Sequence, residues 1–224
     1  MSQDRLSQFV SSVNTDIQKN YSLVAYAFEN EYDWVDVDPV RDEICKCIIC
    51  GLHQAALVLT NHLLESVLKK ARITNESKIN KTDADNICSI FNHATSEYAN
   101  EPLHGNIEYA YNKGFISEED KKYLHYCRKR FRNAFSHADP VGIFGNDSIP
   151  ASLVTIGEDS NAEIGISEVP INLFVANTPF LQGVVGCMVA KELAPEYFLK
   201  VDEIARKIRG ELDGNCDMGN PIGY

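Results

Sequence analysis

Residues 41–72 read RDEICKCIICGLHQAALVLTNHLLESVLKKAR. Within this stretch Ile44, Ile48, Leu52, Ala55, Leu59, Leu63 and Val67 recur at intervals of three and four, the repeat of an α-helix with one apolar face. Ala56, Leu64 and Leu68 widen that face. A helix this apolar is buried on most sides, so the stretch predicts one long central helix over 41–72 and an all-α, up-and-down helical bundle around it.

The flanking text supports a bundle. Phe9, Val13 and Ile17 share a helical stripe that residues 23–28 continue, and the acidic stretch 29–38, ending at Pro39, breaks it. Downstream, Thr82 with Asp85 resembles a capping box for a helix ending near Tyr98, with Ile87, Ile90, Phe91, Ala94 and Tyr98 inward. Pro102 and Gly105 precede a short helical segment at 107–112, and Gly114 reads as a stop. Ser117 reads as the N-cap of a helix over 118–138, because Glu118, Glu119 and Asp120 place anions where the helix dipole favours them. Asp139-Pro140 closes that helix.

After Pro140 the pattern changes. Residues 153–156 and 164–166 are short β-like runs about a polar, glycine-containing turn at 157–161, a small β-hairpin insertion. Two C-terminal helices follow, over 179–193 and 195–212, the second with Val201, Ile204, Ala205, Ile208 and Leu212 on one face. The expected division is an N-terminal helical extension at 1–40, a helical core at 41–140, the hairpin and C-terminal helices packing on it at 141–212, and a flexible tail at 213–224.

Composition sets the outer limits. The 224 residues are 44% apolar, enough for a sizeable core, and the net charge of −11 argues against an all-over basic coat for nucleic acid while leaving room for a local basic site. There is no apolar run of about 18 residues to span a membrane and no apolar signal core after Met1. Seven cysteines, an odd number scattered through helical text, fit reduced thiols and a cytoplasmic location.

One local site stands out against that acidity. Lys121, Lys122, Arg128, Lys129, Arg130 and Arg132 place six positive charges in one helix, with no carboxylate from Lys121 to His137. A solvated helix end explains the later charges by the macrodipole, but not the absence of acids over so long a span. At about 100° per residue, with Arg132 at zero, Asn133 lies near 100° and His137 near 140°. His125, Arg128, Lys129 and Ser136 share the same polar half, while Tyr123, Leu124, Cys127, Phe131, Ala134, Phe135 and Ala138 form an apolar back. A permanent guanidinium beside an imidazole that titrates near neutrality suits a phosphate ester.

Arg132-Asn133-Ala134-Phe135-Ser136-His137, preceded by Ala110-Tyr111-Asn112-Lys113-Gly114-Phe115-Ile116-Ser117, resembles the HEPN superfamily, as does the helix around 56–65. The resemblance covers roughly residues 40–140, and its specific part is the Arg-Asn…His segment. It implies a helical bundle that dimerises, with two copies of the motif in one cleft. It also implies a metal-independent endoribonuclease, often a toxin or antiviral effector, in which Arg132 and His137 are catalytic and Asn133 supports them. Arg128, Lys129, Ser136 and His125 would bind RNA. The partners it implies are RNA, a second copy of the chain, and an antitoxin or regulatory protein. A second class of reading is a catalytically silent module of the same fold acting through protein partners. In one toxin–antitoxin subgroup a tyrosine two residues after the motif histidine is modified; Ala138-Asp139 stands there in this chain.

No metal or cofactor is expected. Cys45, Cys47 and Cys50 with His53 suggest zinc, but on one helix Cys45 and Cys47 point about 200° apart and cannot share a tetrahedral site. His62 and Glu65 are an ordinary helix pair, and His93 and His104 have no evident partner in the sequence.

Overall fold

The helix before it in the chain, the two after it, and the C-terminal helix all pack against α3 (His53–Ser77). In chain order the other helices are α1 (Ser2–Glu29), α2 (Asp38–Ile49), α4 (Ile87–Tyr98), α5 (Leu103–Asn112), α6 (Glu118–Cys127), a π-helical segment (Arg128–Asn133) and α7 (Pro179–Asp217). These elements come from a computed structural model that describes residues 2–77, 87–98, 100–133, 148–156, 162–170 and 179–217. Helices carry the core, and the fold class is all-α as the periodicity predicts. No helix among the described residues is long and apolar enough to cross a membrane.

The expected single helix over 41–72 is two helices, and the reason lies at Gly51. Its φ of 76° is left-handed, a conformation glycine adopts without a Cβ penalty. The Leu52 N–H reaches back to the Cys47 carbonyl at 2.7 Å and the Gly51 N–H to Ile48 at 3.0 Å, the pair of bonds that ends a helix on a left-handed residue. The turn also restarts the helical phase. Leu52 is 58% exposed and Ala55 is exposed, whereas Ala56, Leu57, Leu63, Leu64, Val67, Leu68 and Ala71 are buried.

The C-terminal region differs in the opposite sense. Where two helices are expected, α7 is one element running through Pro195. Proline there has no N–H to give the carbonyl four residues back, a defect of roughly 3 kcal/mol in an isolated helix. Ala190 and Ala194 before it, and Tyr197, Phe198 and Val201 after it, are all buried, and α7 lies along α3. Tertiary packing on both sides of the proline outweighs the local defect. The inward face Val201, Ile204, Ala205, Ile208 and Leu212 is buried as its spacing predicts.

Polar groups lock α7 to the rest. The Tyr197 hydroxyl donates to Asn61 Oδ1 on α3 at 2.9 Å. The Tyr32 hydroxyl donates to buried Asp202 at 2.7 Å, and Arg206 completes that site through Asp202 at 2.9 Å and the Asn30 carbonyl at 2.7 Å. Asp38 accepts from the Tyr32 and Trp34 N–H groups at 2.8 and 2.7 Å and pairs with Arg41, which is only 2% exposed. The 30–37 link between α1 and α2 is thus held by buried Arg41 of α2 and by partly exposed Arg206 of α7.

Beyond α6, the backbones of Ser148–Ile156 and Ala162–Pro170 pair antiparallel, with Val154 opposite Ile164. The turn expected at 157–161 lies outside the described residues, as do the expected capping box at 82–85, the Asp139-Pro140 helix end and most of the tail at 213–224.

Candidate functional site

α6 begins where the sequence places it. The Ser117 hydroxyl accepts from the Asp120 N–H at 3.0 Å, and the Asp120 carboxylate accepts from the Ser117 N–H at 3.3 Å, a reciprocal capping box. Gly114, at φ 80°, makes the preceding turn. Asp120 also meets Lys200 of α7 at 2.9 Å, so the start of α6 is pinned to the core.

The helix expected over 118–138 is α-helical only to Cys127; Arg128–Asn133 is π-helical. In that geometry each residue turns by less than the α-helical 100°, so the polar arc drawn on a regular wheel does not extend unchanged past Cys127. Of the apolar back, Leu124, Cys127 and Phe131 are buried and Tyr123 half-buried, the Phe131 ring lies 4.8 Å from that of Tyr197, and Ala134, Phe135 and Ala138 lie outside the described residues. Phe131 therefore anchors the π turn to α7. Burial pushes the Cys127 thiol up to about 12, which keeps it protonated and inert.

Arg128 is half-buried and Lys129 exposed, and among the described residues neither forms an ion pair. Arg130 turns to the Tyr126 hydroxyl and ring. Several other cations on α6 and α7 are engaged: Lys122 with Glu118, Lys200 with Asp120, Lys207 with Glu203, Arg209 with Asp213. For Arg132 and Asn133 the structure gives the backbone within the π segment, and Ser136 and His137 lie outside the described residues.

His125 sits apart from Arg128 and Lys129 in its contacts. Its Nε2 is 2.8 Å from Glu108 Oε1 on α5, and Lys121 Nζ donates to the other oxygen of that carboxylate at 2.6 Å. Hydrogen bonds from Lys121 first, then His125, hold the Glu108 carboxyl below its ordinary value. The His104 ring stacks at a tilt on His125 with centroids 4.9 Å apart. One side-chain nitrogen from each histidine and a Glu108 oxygen all lie within 4.8 Å of one another. The Glu108 and His125 partners of His104 are not evident in the sequence. The available signal was its spacing of four from Glu108, which places both on one face of α5.

The cysteine cluster at the end of α2 brings no such convergence. Cys45 is buried, its thiol pushed up to about 12 by burial, and His53 opens α3 beyond the Gly51 turn. Burial, with Lys191 nearby, lowers the His53 imidazole and favours its neutral form. Comparison with family models, curated proteins and solved structures finds no match to this chain.

Proposed function

We propose that the chain is a metal-independent endoribonuclease of HEPN type. The observation that carries this reading is that Arg128 and Lys129 pair with no carboxylate among the described residues, in a chain of net charge −11 whose other α6 and α7 cations are so often paired. A cation already paired with an acid offers little to a phosphate; Arg128 and Lys129 offer a full charge each. In the proposed reaction His137 removes the proton of an RNA 2′-hydroxyl, whose oxygen attacks the adjacent phosphorus. The bond from phosphorus to the 5′-oxygen breaks, leaving a 2′,3′-cyclic phosphate and a 5′-hydroxyl once that oxygen is protonated. Arg132 offsets the charge growing on the phosphoryl oxygens, and Asn133 orients the phosphate or the imidazole. Two copies of the chain would bring two such motifs to one cleft, and a toxin or antiviral role, with an antitoxin or regulator as partner, follows from the same reading.

A second reading, a silent module of the same fold, is favoured by one observation: α1 carries Leu6 at 62% and Phe9 at 61% exposure with Val10 and Ile17 also exposed, an apolar stripe suited to a protein partner. Binding to single-stranded RNA at graded salt separates the two. The nuclease reading expects binding that weakens steeply with salt and loses part of that dependence on Arg128→Gln with Lys129→Gln. No binding even at low salt would leave the silent module.

A further inference from the structure

We propose that His104, Glu108 and His125 form a binding site for a borderline transition-metal dication, Zn²⁺ foremost, that clamps α5 to α6. This site is independent of whether the chain cuts RNA. His104 and Glu108 lie one helical turn apart on α5, and His125 comes from the last turn of α6, so the donors belong to two elements already packed together. Two imidazoles and one carboxylate match the three-ligand sets that hold Zn²⁺ with a fourth position open to water, whereas Ca²⁺ and Mg²⁺ prefer all-oxygen shells.

The geometry is close to what an ion requires. Metal–nitrogen and metal–oxygen bonds of about 2.0–2.2 Å in a tetrahedron put neighbouring donors about 3.4 Å apart. The His125–Glu108 contact at 2.8 Å has to open slightly, and the widest donor separation, at most 4.8 Å, has to close by about 1.4 Å or less. His104 is exposed, so its ring can turn inward without disturbing the core. Lys121 already holds the second Glu108 oxygen at 2.6 Å and leans over the Tyr111 ring at 4.5 Å. It leaves one carboxylate oxygen to face the histidines, the outer-shell role that orients a ligating carboxylate. An ion here would fix the end of α6 one turn before Arg128.

The test titrates the purified full-length chain with Zn²⁺ by calorimetry and with Co²⁺ by visible absorption. The expected result is one ion per chain, a Co²⁺ spectrum without the intense thiolate band of cysteine ligation, and at least about tenfold weaker binding for His104→Ala and for Glu108→Gln. Because His104 is exposed, that variant keeps the fold, which circular dichroism checks. Absence of stoichiometric binding, binding unchanged in both variants, or a thiolate-type spectrum would overturn the assignment.

Discussion

Asp120→Asn probes how the helix bearing the basic segment is held in place. The wild-type carboxylate is 3% exposed and accepts from the Ser117 hydroxyl at 2.8 Å, the Ser117 N–H at 3.3 Å and Lys200 Nζ at 2.9 Å, with Lys207 at 3.8 Å. Asparagine keeps the shape and part of the cap but not the charge. A charge-assisted hydrogen bond contributes about 1.5–3 kcal/mol, and breaking a fully buried pair costs about 3–5 kcal/mol. Lys200 is partly exposed and keeps Glu203 at 3.1 Å, so the loss falls toward the lower figure. The expected destabilisation is about 2–3 kcal/mol at pH 7, read from urea unfolding with an unchanged m-value. The pH dependence has a defined sign. Burial alone would raise the Asp120 carboxyl, but hydrogen bonds from Lys200 and Ser117 outweigh it and hold the group below its ordinary value. Its stabilisation is therefore complete above the unfolded value of about 3.9 and disappears as pH falls through the lower folded value. The gap between wild type and variant should shrink below about pH 4. A variant within about 0.5 kcal/mol of wild type at pH 7, or a gap of constant size down to pH 3, would show that the Asp120 charge does not anchor α6.

Gly51→Ala should cost about 1–2 kcal/mol in the same assay, because the left-handed φ of 76° is retained and the new Cβ would sit 2.8 Å from an Asp16 oxygen that must swing away. Tyr32→Phe should cost about 1 kcal/mol by thermal unfolding; Asp202 loses the hydroxyl donor but keeps Arg206. Alkylation followed by peptide mapping should label exposed Cys187 in the folded protein and spare Cys45 and Cys127, whose thiols burial pushes up to about 12, until the chain unfolds. In the RNA-binding assay, removing the charges of Arg128 and Lys129 together should flatten the slope of log affinity against log salt by about 1.4, or about 0.7 for each released counterion on a single strand.

The residues that were legible in the sequence act locally. Ser117 caps α6 and Gly114 stops α5 through hydrogen bonds and φ values confined to a few neighbours, and the inward face of 201–212 follows from spacing alone. The departures come from interactions between distant segments or from patterns that mimic a helix. Across Gly51 the apolar spacing continues at three- and four-residue intervals, so periodicity conceals a turn that only the glycine marks. At Pro195 the local rule predicts a break, and burial against α3 overrides it. The π turn at Arg128–Asn133 has no composition signal and alters the phase of the basic face from that of a regular α-helix. His104 and His125 are 21 positions apart, and only the packing of α5 on α6 reveals that their rings touch.

The proposed cutting of RNA by Arg132 and His137 is read from cleavage of a single-stranded RNA in the presence of a metal chelator. Wild-type protein should cut, yielding 2′,3′-cyclic phosphate ends, and a 2′-deoxy substitution at the cleaved nucleotide should block the cut. His137→Ala and Arg132→Ala, each folded by circular dichroism, should lose the activity. No cleavage by wild-type protein, or undiminished cleavage by either folded variant, would rule out Arg132 and His137 as the catalytic pair.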